Sequence, residues 1–523
     1  MGWLVSHGRI ASGVTPAAFA DNAQLGSKVI IQQSNFCMLT LFLTNPTDSD
    51  PGRMAVALTN ADLLFPAEAR PRSIARDLYA GIKDLPIISP HGHTDPRWYA
   101  LNEPFSDPAQ LLIVPDHYIF RMLFSQGVRL EALGVPTLDG APVETDGRAI
   151  WRLFAEHYHL FRGTPTRLWF DHVLAHLFCI EEPLSAATAD RHYDTIATVL
   201  QWENFRPRAL FERFNIEVIA TTEGALDDLK WHQMIRDSGW EGRVVTAYRP
   251  DAVIDPDFEG FSVNLDRLGE ITGCDTASWA GYLDAHRQRR AFFKSFGATS
   301  SDHGHPTAET ANLSDAAAQE LFNRIRSGSQ DERERKLFRA QMLTEMAKMS
   351  RDDGLVMQVH PGSWRNHSPG IFQKFGRDKG FDIPTRTDYV TALKPLLDCV
   401  GLERDLTVIL FTLDESSYAR ELAPLAGVYP ALKLGPAWWF HDSPEGMRRF
   451  REMTTETAGF YNTVGFNDDT RAFPSIPARH DVARRVDCAF LARLVAEHRL
   501  REDEAHELAK ELAYTLAKTA YRL

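Results

Sequence analysis

The stretch Pro86-Ile87-Ile88-Ser89-Pro90-His91-Gly92-His93-Thr94-Asp95 decides how the rest of the chain is read. A short apolar run passes directly into a His-x-His pair. In extended backbone, residues i and i+2 point the same way, so both imidazoles can converge on one ion. Gly92 leaves the backbone between them unobstructed. Neutral imidazole suits zinc, nickel, iron or manganese. A metal-binding pair at the end of a first strand fits a barrel whose active site lies at the C-terminal ends of its strands.

Working outward, short apolar and β-branched runs mark the strands: Leu85–Ser89, Glu217–Thr222, Val244–Tyr248, Phe296–Ser300, Leu355–His360, Thr407–Thr412, Ala431–Leu434 and Thr463–Phe466. Helical periodicity fills most of the gaps, as in Asp388–Leu397, whose end Pro395 weakens, and in Ser443–Thr455. Strands alternating with helices predict a parallel sheet, and eight of them a TIM-like (β/α)8 barrel. The gap at about 94–216 is too long for a simple crossover. Its helical segments Asp107–Val114, Tyr118–Gln126, Arg148–His159 and Asp190–Asn204 predict a large helical insertion after the first strand. Residues 305–350 are also helical, with Asp331–Lys336 as a solvated face. Ala478–Leu523 reads as a helical tail covering the barrel. Residues 1–53 end in the turn-rich Asn45–Gly52 and are expected to be an N-terminal extension, leaving 54–523 as the barrel.

The 523 residues are 44% hydrophobic and carry a formal charge of -13. That acidity disfavours nucleic acid and anionic membrane as partners. A small anionic substrate remains compatible with it, provided that local arginines set the field in the pocket. The five scattered cysteines form no CxxC, which argues against a thiolate zinc site or a disulfide framework and points to a reducing, cytoplasmic setting. No run approaches the roughly 18–20 apolar residues of a membrane span. The chain has no GxGxxG, P-loop, GxSxG or HExxH, which counts against nucleotide cofactors and serine-hydrolase chemistry.

Other candidates stand at strand ends. His360 closes Leu355–His360. Asp469 and Arg471, in Gly465-Phe466-Asn467-Asp468-Asp469-Thr470-Arg471, are again i and i+2. A carboxylate there can complete a metal site or act as a base, and the arginine keeps it ionised and can hold an anionic substrate. Asp116-His117-Tyr118 opens a helix of the insertion with two proton-handling groups. Arg249 ends the third strand. Trp438 and Trp439, after the seventh strand, can wall a polar pocket, while Asp442 or Ser443 caps the next helix.

Together these segments resemble the uronate (glucuronate/galacturonate) isomerases of the amidohydrolase superfamily. The resemblance runs from about Ala55 to the C-terminus. It rests on the His91-Gly92-His93 start, Asp116-His117-Tyr118 with Arg121, Phe214–Thr222, Tyr248-Arg249-Pro250-Asp251, Ser301-Asp302-His303-Gly304, Leu434–Phe440 and Asp469-Thr470-Arg471. It implies that His91, His93 and Asp469 hold one divalent ion, expected to be zinc, with His360 at or near it. It implies proton-transfer or substrate roles for His117, Tyr118, Arg249 and Arg471, and substrate contacts for Arg365 and Trp438. The implied activity is aldose–ketose isomerisation of D-glucuronate and D-galacturonate through a cis-enediol, by a homo-oligomer. Departures are Gly92 where the family usually has Cys, Pro361-Gly362-Ser363-Trp364 in place of an Ile-Gly-Ala segment, and His367 for Asn. The rival expectation is a mononuclear metal-dependent amidohydrolase or lactonase acting on a sugar acid. The absence of a histidine after the sixth strand and of a lysine closing the fourth argues against a paired metal centre.

Overall fold

The computed structural model describes residues 58–523; the expected extension over residues 1–53 lies outside them. The apolar runs form strands β1 (Ile87–Ser89), β2 (Ile216–Gly224), β3 (Val244–Arg249), β4 (Ser300–His303), β5 (Val356–Val359), β6 (Ser363–Trp364), β7 (Ile383–Pro384), β8 (Val408–Leu410) and β9 (Leu432–Leu434). One seven-stranded sheet runs in the order β1-β2-β3-β4-β5-β8-β9, and each neighbouring pair is parallel. β6 and β7 make a separate antiparallel hairpin. Parallel neighbours need crossover connections, and helices supply them. Examples are Lys230–Asp237 between β2 and β3, Trp279–Ser295 between β3 and β4, and Glu332–Asp353 between β4 and β5.

Period-two alternation decides which residues reach the site. Ile88, Val218, Ala220 and Val245 pack on one face of the sheet, with Ala517 from the C-terminal helices beneath them. Val356, Ile409 and Val464 cluster with Tyr521. The opposite face, with Tyr248, Met357, Val359, Leu410 and Leu432, packs on the surrounding helices. Continuing the first set along each strand leads to Thr222, Arg249, Asp302 and His360, and all four line one cavity. Between β1 and β2 the chain is helical, including His117–Ser125, Gly147–His157, Pro165–His172 and Ala189–Val199. These helices have an apolar cluster of their own around Trp151, Phe154 and Leu174.

Several expectations are corrected. The fourth strand starts at Ser300 because Phe296 and Gly297 end the preceding helix; Gly297 adopts a left-handed φ of 88°, the usual helix stop. The eighth run, Thr463–Phe466, contributes only a parallel bridge from Thr463 to Leu434. Gly465 interrupts the extended backbone there with φ 77°, and its Cα faces the C-terminal helices so closely that a Cβ would lie 2.9 Å from Leu512 O. Beyond it, His93 N donates to Thr470 O at 3.0 Å, so this segment still runs beside the end of β1. Pro395 begins a helix, Lys394–Val400, where its missing N–H costs nothing. The C-terminal tail is interrupted once, after Ile476–Ala496, and then runs from Glu502 to Ala520 through a wider turn over Glu511–Thr515. Asp331 caps Glu332–Asp353, and the charged run after it is largely solvent-facing, as expected. No described helix is long and apolar enough to cross a membrane.

Burial also sets an acid limit on the fold. His286, fully enclosed beside the Tyr248 hydroxyl (2.7 Å), is pushed down to about 3 by loss of water. The unfolded chain protonates the same ring near pH 6.5. Its contribution is therefore intact above that pH and is lost as pH falls from 6.5 toward 3. We expect His286→Gln to destabilise the protein at pH 7.5, and the gap from wild type to narrow steadily below pH 6.5 in urea titrations. A pH-independent gap would contradict this.

Candidate active site

The C-terminal ends of the strands surround a cavity of about 1020 Å³ that contains every candidate residue named above: His91, His93, His117, Tyr118, Arg249, His360, Arg365, Trp438, Asp469 and Arg471. His91 and His93 follow β1 and lie past the strand itself. Their Nε2 atoms nonetheless stand 3.5 and 3.3 Å from the same Asp469 Oδ1. His360, one residue beyond β5, stacks on the His91 ring at 4.8 Å. Its Nδ1 is 2.6 Å from Asp302 Oδ1, which leaves Nε2 buried and unpartnered. Asp469 Oδ1 is likewise buried without a hydrogen-bond donor. Two compact donor groups result, His91–His93–Asp469 and His91–Asp302–His360, with His91 common to both. Imidazole nitrogens and carboxylate oxygens gathered this closely, with His360 Nε2 and Asp469 Oδ1 left unpartnered, make a donor set suited to a divalent cation.

Asp469 is held by more than its histidines. Trp438 Nε1 donates to its Oδ2 at 2.6 Å, so this indole is committed to orienting the carboxylate. The backbone of Asp469 has φ 36°, a left-handed conformation that costs a non-glycine residue energy and that the surroundings must impose. Arg471 reaches the same cavity through this turn, not through strand alternation. Burial opposes the charge on Asp302, but Arg249 and His360 more than offset it and hold the carboxyl well below its ordinary range. Asp469 is treated in the same way by His91 and His93.

The arginines are unequal. Arg249 gives Nε to Asp251 (2.9 Å) and Nη1 to Asp302 (3.3 Å). A Cβ on Gly304 would fall 2.4 Å from its Nη2, so this glycine makes room for the guanidinium. Arg365 pairs with Asp382 at 3.0 Å and lies over the Trp439 ring. Arg471 has only a long 3.6 Å approach to Asp378.

His117 and Tyr118 open the helix His117–Ser125, as expected, and Asp116 caps it, accepting from Tyr118 N at 2.8 Å. Their rings stack at 5.1 Å, and the Tyr118 hydroxyl donates to Trp439 O at 3.2 Å. Burial, reinforced by Arg471, pushes His117 down to about 3, so it is a neutral ring and a proton acceptor at neutral pH. Burial pushes the Tyr118 phenol far above its ordinary value, so it remains a proton donor. Ser443 caps the helix Pro444–Ala458, but Asp442 does not share that task. It pairs with buried Arg479, which in turn lies 3.7 Å above the Trp169 ring.

Sequence reasoning missed Asp302 as a site residue and passed over a second His-Gly-His, His303-Gly304-His305, at the end of β4. Asp302 was legible as the inward-facing neighbour of that motif. With Asp251 these histidines form a third compact donor group. Asp251 is already occupied by Arg249 Nε and by Gly304 N (3.2 Å), so a cation there would have to displace a guanidinium. The loop carrying Asp378 and Asp382 was also missed, and nothing in its local sequence marked it.

A family model described as glucuronate isomerase matches residues 69–521. The chain belongs to the glucuronate isomerase family. A uronate isomerase of Mesorhizobium japonicum is 93% identical to it over 468 residues, 90% of this chain and 100% of that protein. One from Rhizobium meliloti is 78% identical over 466 residues, covering 89% and 99%. The crystal structure of glucuronate isomerase from Caulobacter crescentus matches with a TM-score of 0.88 at 62% identity, over 89% of this chain and 98% of that one. The uronate isomerase of Thermotoga maritima matches with a TM-score of 0.82 at 26% identity, over 88% and 99%.

Within this glucuronate isomerase fold, Gly380 ties the missed loop to the helix start. It has φ 82°, and a Cβ there would lie 2.7 Å from His117 O. Gly140 has a similar φ, 72°, with open space around it. Gly140→Ala should therefore cost only the backbone term of about 1–2 kcal/mol, and Gly380→Ala distinctly more. Urea denaturation of the two variants checks the difference, and equal losses would show that the loop does not bear on His117.

Proposed function

We propose that this protein interconverts D-glucuronate with D-fructuronate and D-galacturonate with D-tagaturonate, by moving a proton between C2 and C1 of the open-chain sugar acid. The observation that carries this reading is the meeting of a neutral imidazole (His117), a protonated phenol (Tyr118), a carboxylate (Asp469) and an under-partnered arginine (Arg471) in one cavity. The C2 proton lies α to the C1 aldehyde, so a positioned base removes it to give a cis-enediol, and protonation at C1 gives the ketose. His117 and Tyr118 line the same cavity with their rings stacked at 5.1 Å, one offering a ring nitrogen and the other a hydroxyl, and we assign the shuttle to this pair. Asp469, kept ionised, serves the metal and stands available as a second base. Arg471 takes the substrate carboxylate, with Arg249 and Arg365 beside it, and Trp438 holds Asp469 in register while walling the pocket.

The donor set of His91, His93 and Asp469, with His360 stacked on His91 and its Nε2 unpartnered, fits a single divalent ion, which we take to be zinc. Such an ion supplies a Lewis acid that stabilises negative charge on sugar or carboxylate oxygens. Thr463–Phe466 completes a TIM-like (β/α)8 barrel as its eighth, irregular strand, with the helices at 94–216 as an insertion over the active-site end and the C-terminal helices covering the other. We further propose that the protein is cytoplasmic and assembles as a homo-oligomer.

NMR of each uronate incubated with the protein tests this reading. We expect the ketose to form, to be suppressed by chelator and to return on adding zinc. Asp469→Asn and Arg471→Met should each lower kcat/KM by about 100-fold or more. Unimpaired variants would overturn the assignments, and lactone or amide cleavage without ketose would replace the isomerase reading with a hydrolase.

A further inference from the structure

The carboxylates around the cavity differ in how much of their capacity is already used. Asp302 is 2.6 Å from His360 Nδ1 and 3.3 Å from Arg249. Asp251 is taken by Arg249 and Gly304 N, and Asp382 by Arg365 and Asn366 N at 3.0 and 2.6 Å. Asp469 is taken by Trp438 and the histidines. Toward the rim, Asp255, Asp257 and Glu332 sit in ion pairs with Arg339, Arg335 and Lys336. Asp378 is the exception among the described residues lining the cavity. Its nearest charged contact is Arg471 at 3.6 Å, too long for a hydrogen bond, and 56% of its side chain is open. Water on that open edge is what an incoming ligand displaces.

The backbone shows that this placement is imposed. Asp378 has φ 59°, a left-handed conformation, between Gly376 at 81° and Gly380 at 82°. Gly380 is packed on the carbonyl of His117, and the loop springs from the β6–β7 hairpin that also carries Arg365. An aspartate held in left-handed backbone beside Arg471, without a close partner and open to the cavity, has capacity left for a ligand. Desolvation opposes its charge, but Arg471, Arg365 and Arg249 hold it at about 2, so it is ionised at neutral pH and can only accept hydrogen bonds.

A hexuronate presents one carboxylate, which the arginines suit, and several hydroxyls, which need acceptors. We propose that Asp378 is the residue that reads the sugar's hydroxyls, accepting hydrogen bonds from the open-chain substrate while Arg471 holds its carboxylate. This makes it a specificity-determining residue, and it rests on the hexuronate reading of the same cavity.

The test compares wild type, Asp378→Ala and Asp378→Asn in two ways. Steady-state kinetics are run with D-glucuronate and D-galacturonate. Calorimetry is run with D-gluconate, a polyhydroxy acid that has no aldehyde and cannot isomerise. A hydrogen bond to a charged acceptor corresponds to a change of about tenfold or more. We expect Asp378→Ala to raise both KM values and the D-gluconate Kd by at least about that factor, with kcat changed less than about threefold and the ratio of kcat/KM between the two sugars shifted. Asp378→Asn, which keeps the shape and a weaker acceptor, falls between and guards against collapse of the loop. Unchanged KM and Kd overturn the proposal. So does tighter binding, which would make Asp378 a mere brake on Arg471, and so does a fall in kcat at constant KM, which would make it a positioning residue for Arg471. Failure of wild type to bind D-gluconate overturns it as well. If wild type makes no ketose but binds D-gluconate in an Asp378-dependent way, the isomerase reading fails and this inference stands.

Discussion

His91 and His93 at one end of the described chain have to meet Asp469 near the other, and much of the architecture follows from that requirement. Almost four hundred residues separate them in sequence, yet their side chains come within 3.5 Å. No local propensity can bring this about. It needs a sheet that curls through seven parallel strands until the segment after the last one lies against the first, where His93 N finds Thr470 O. Each crossover helix sets the position of the next strand, so an error anywhere in the round displaces Asp469 from its histidines.

The same round sorts charge. A cavity lined by so many ionisable groups would repel itself unless each were neutralised locally, and the strand ends do this in pairs: Asp302 with His360 and Arg249, Asp251 with Arg249, Asp382 with Arg365. Burial, more than any charged neighbour, lowers His117 and raises Tyr118, so both rings stay neutral. Groups left under-partnered, Arg471 and Asp378, are those with capacity for a ligand.

Most strands and most of the candidate residues that line the cavity were legible in the sequence because both depend on short-range patterns. Apolar runs ending in His91, Arg249 or His360 announce an inward side chain at a strand's edge. Asp116 before His117 announces a helix start. What the sequence concealed depends on tertiary contact. Gly465 turns the eighth run out of strand geometry because Leu512 crowds it. Asp302 matters because period two carries it inward beside His360, and Asp378 because a loop distant in sequence folds back on His117. Asp442 looked like a cap, and its partner Arg479 lies in another helix.

The β6–β7 hairpin and its loop hang from the end of β5 without joining the main sheet. They carry Arg365, Asp378 and Asp382, whereas the candidate metal donors sit at or just past the ends of the main strands. The charged groups of the loop and the candidate metal donors therefore sit on parts that can accept substitutions separately. Substitutions in the loop can thus alter the charges on one side of the cavity while the packing of the main sheet beneath is left untouched.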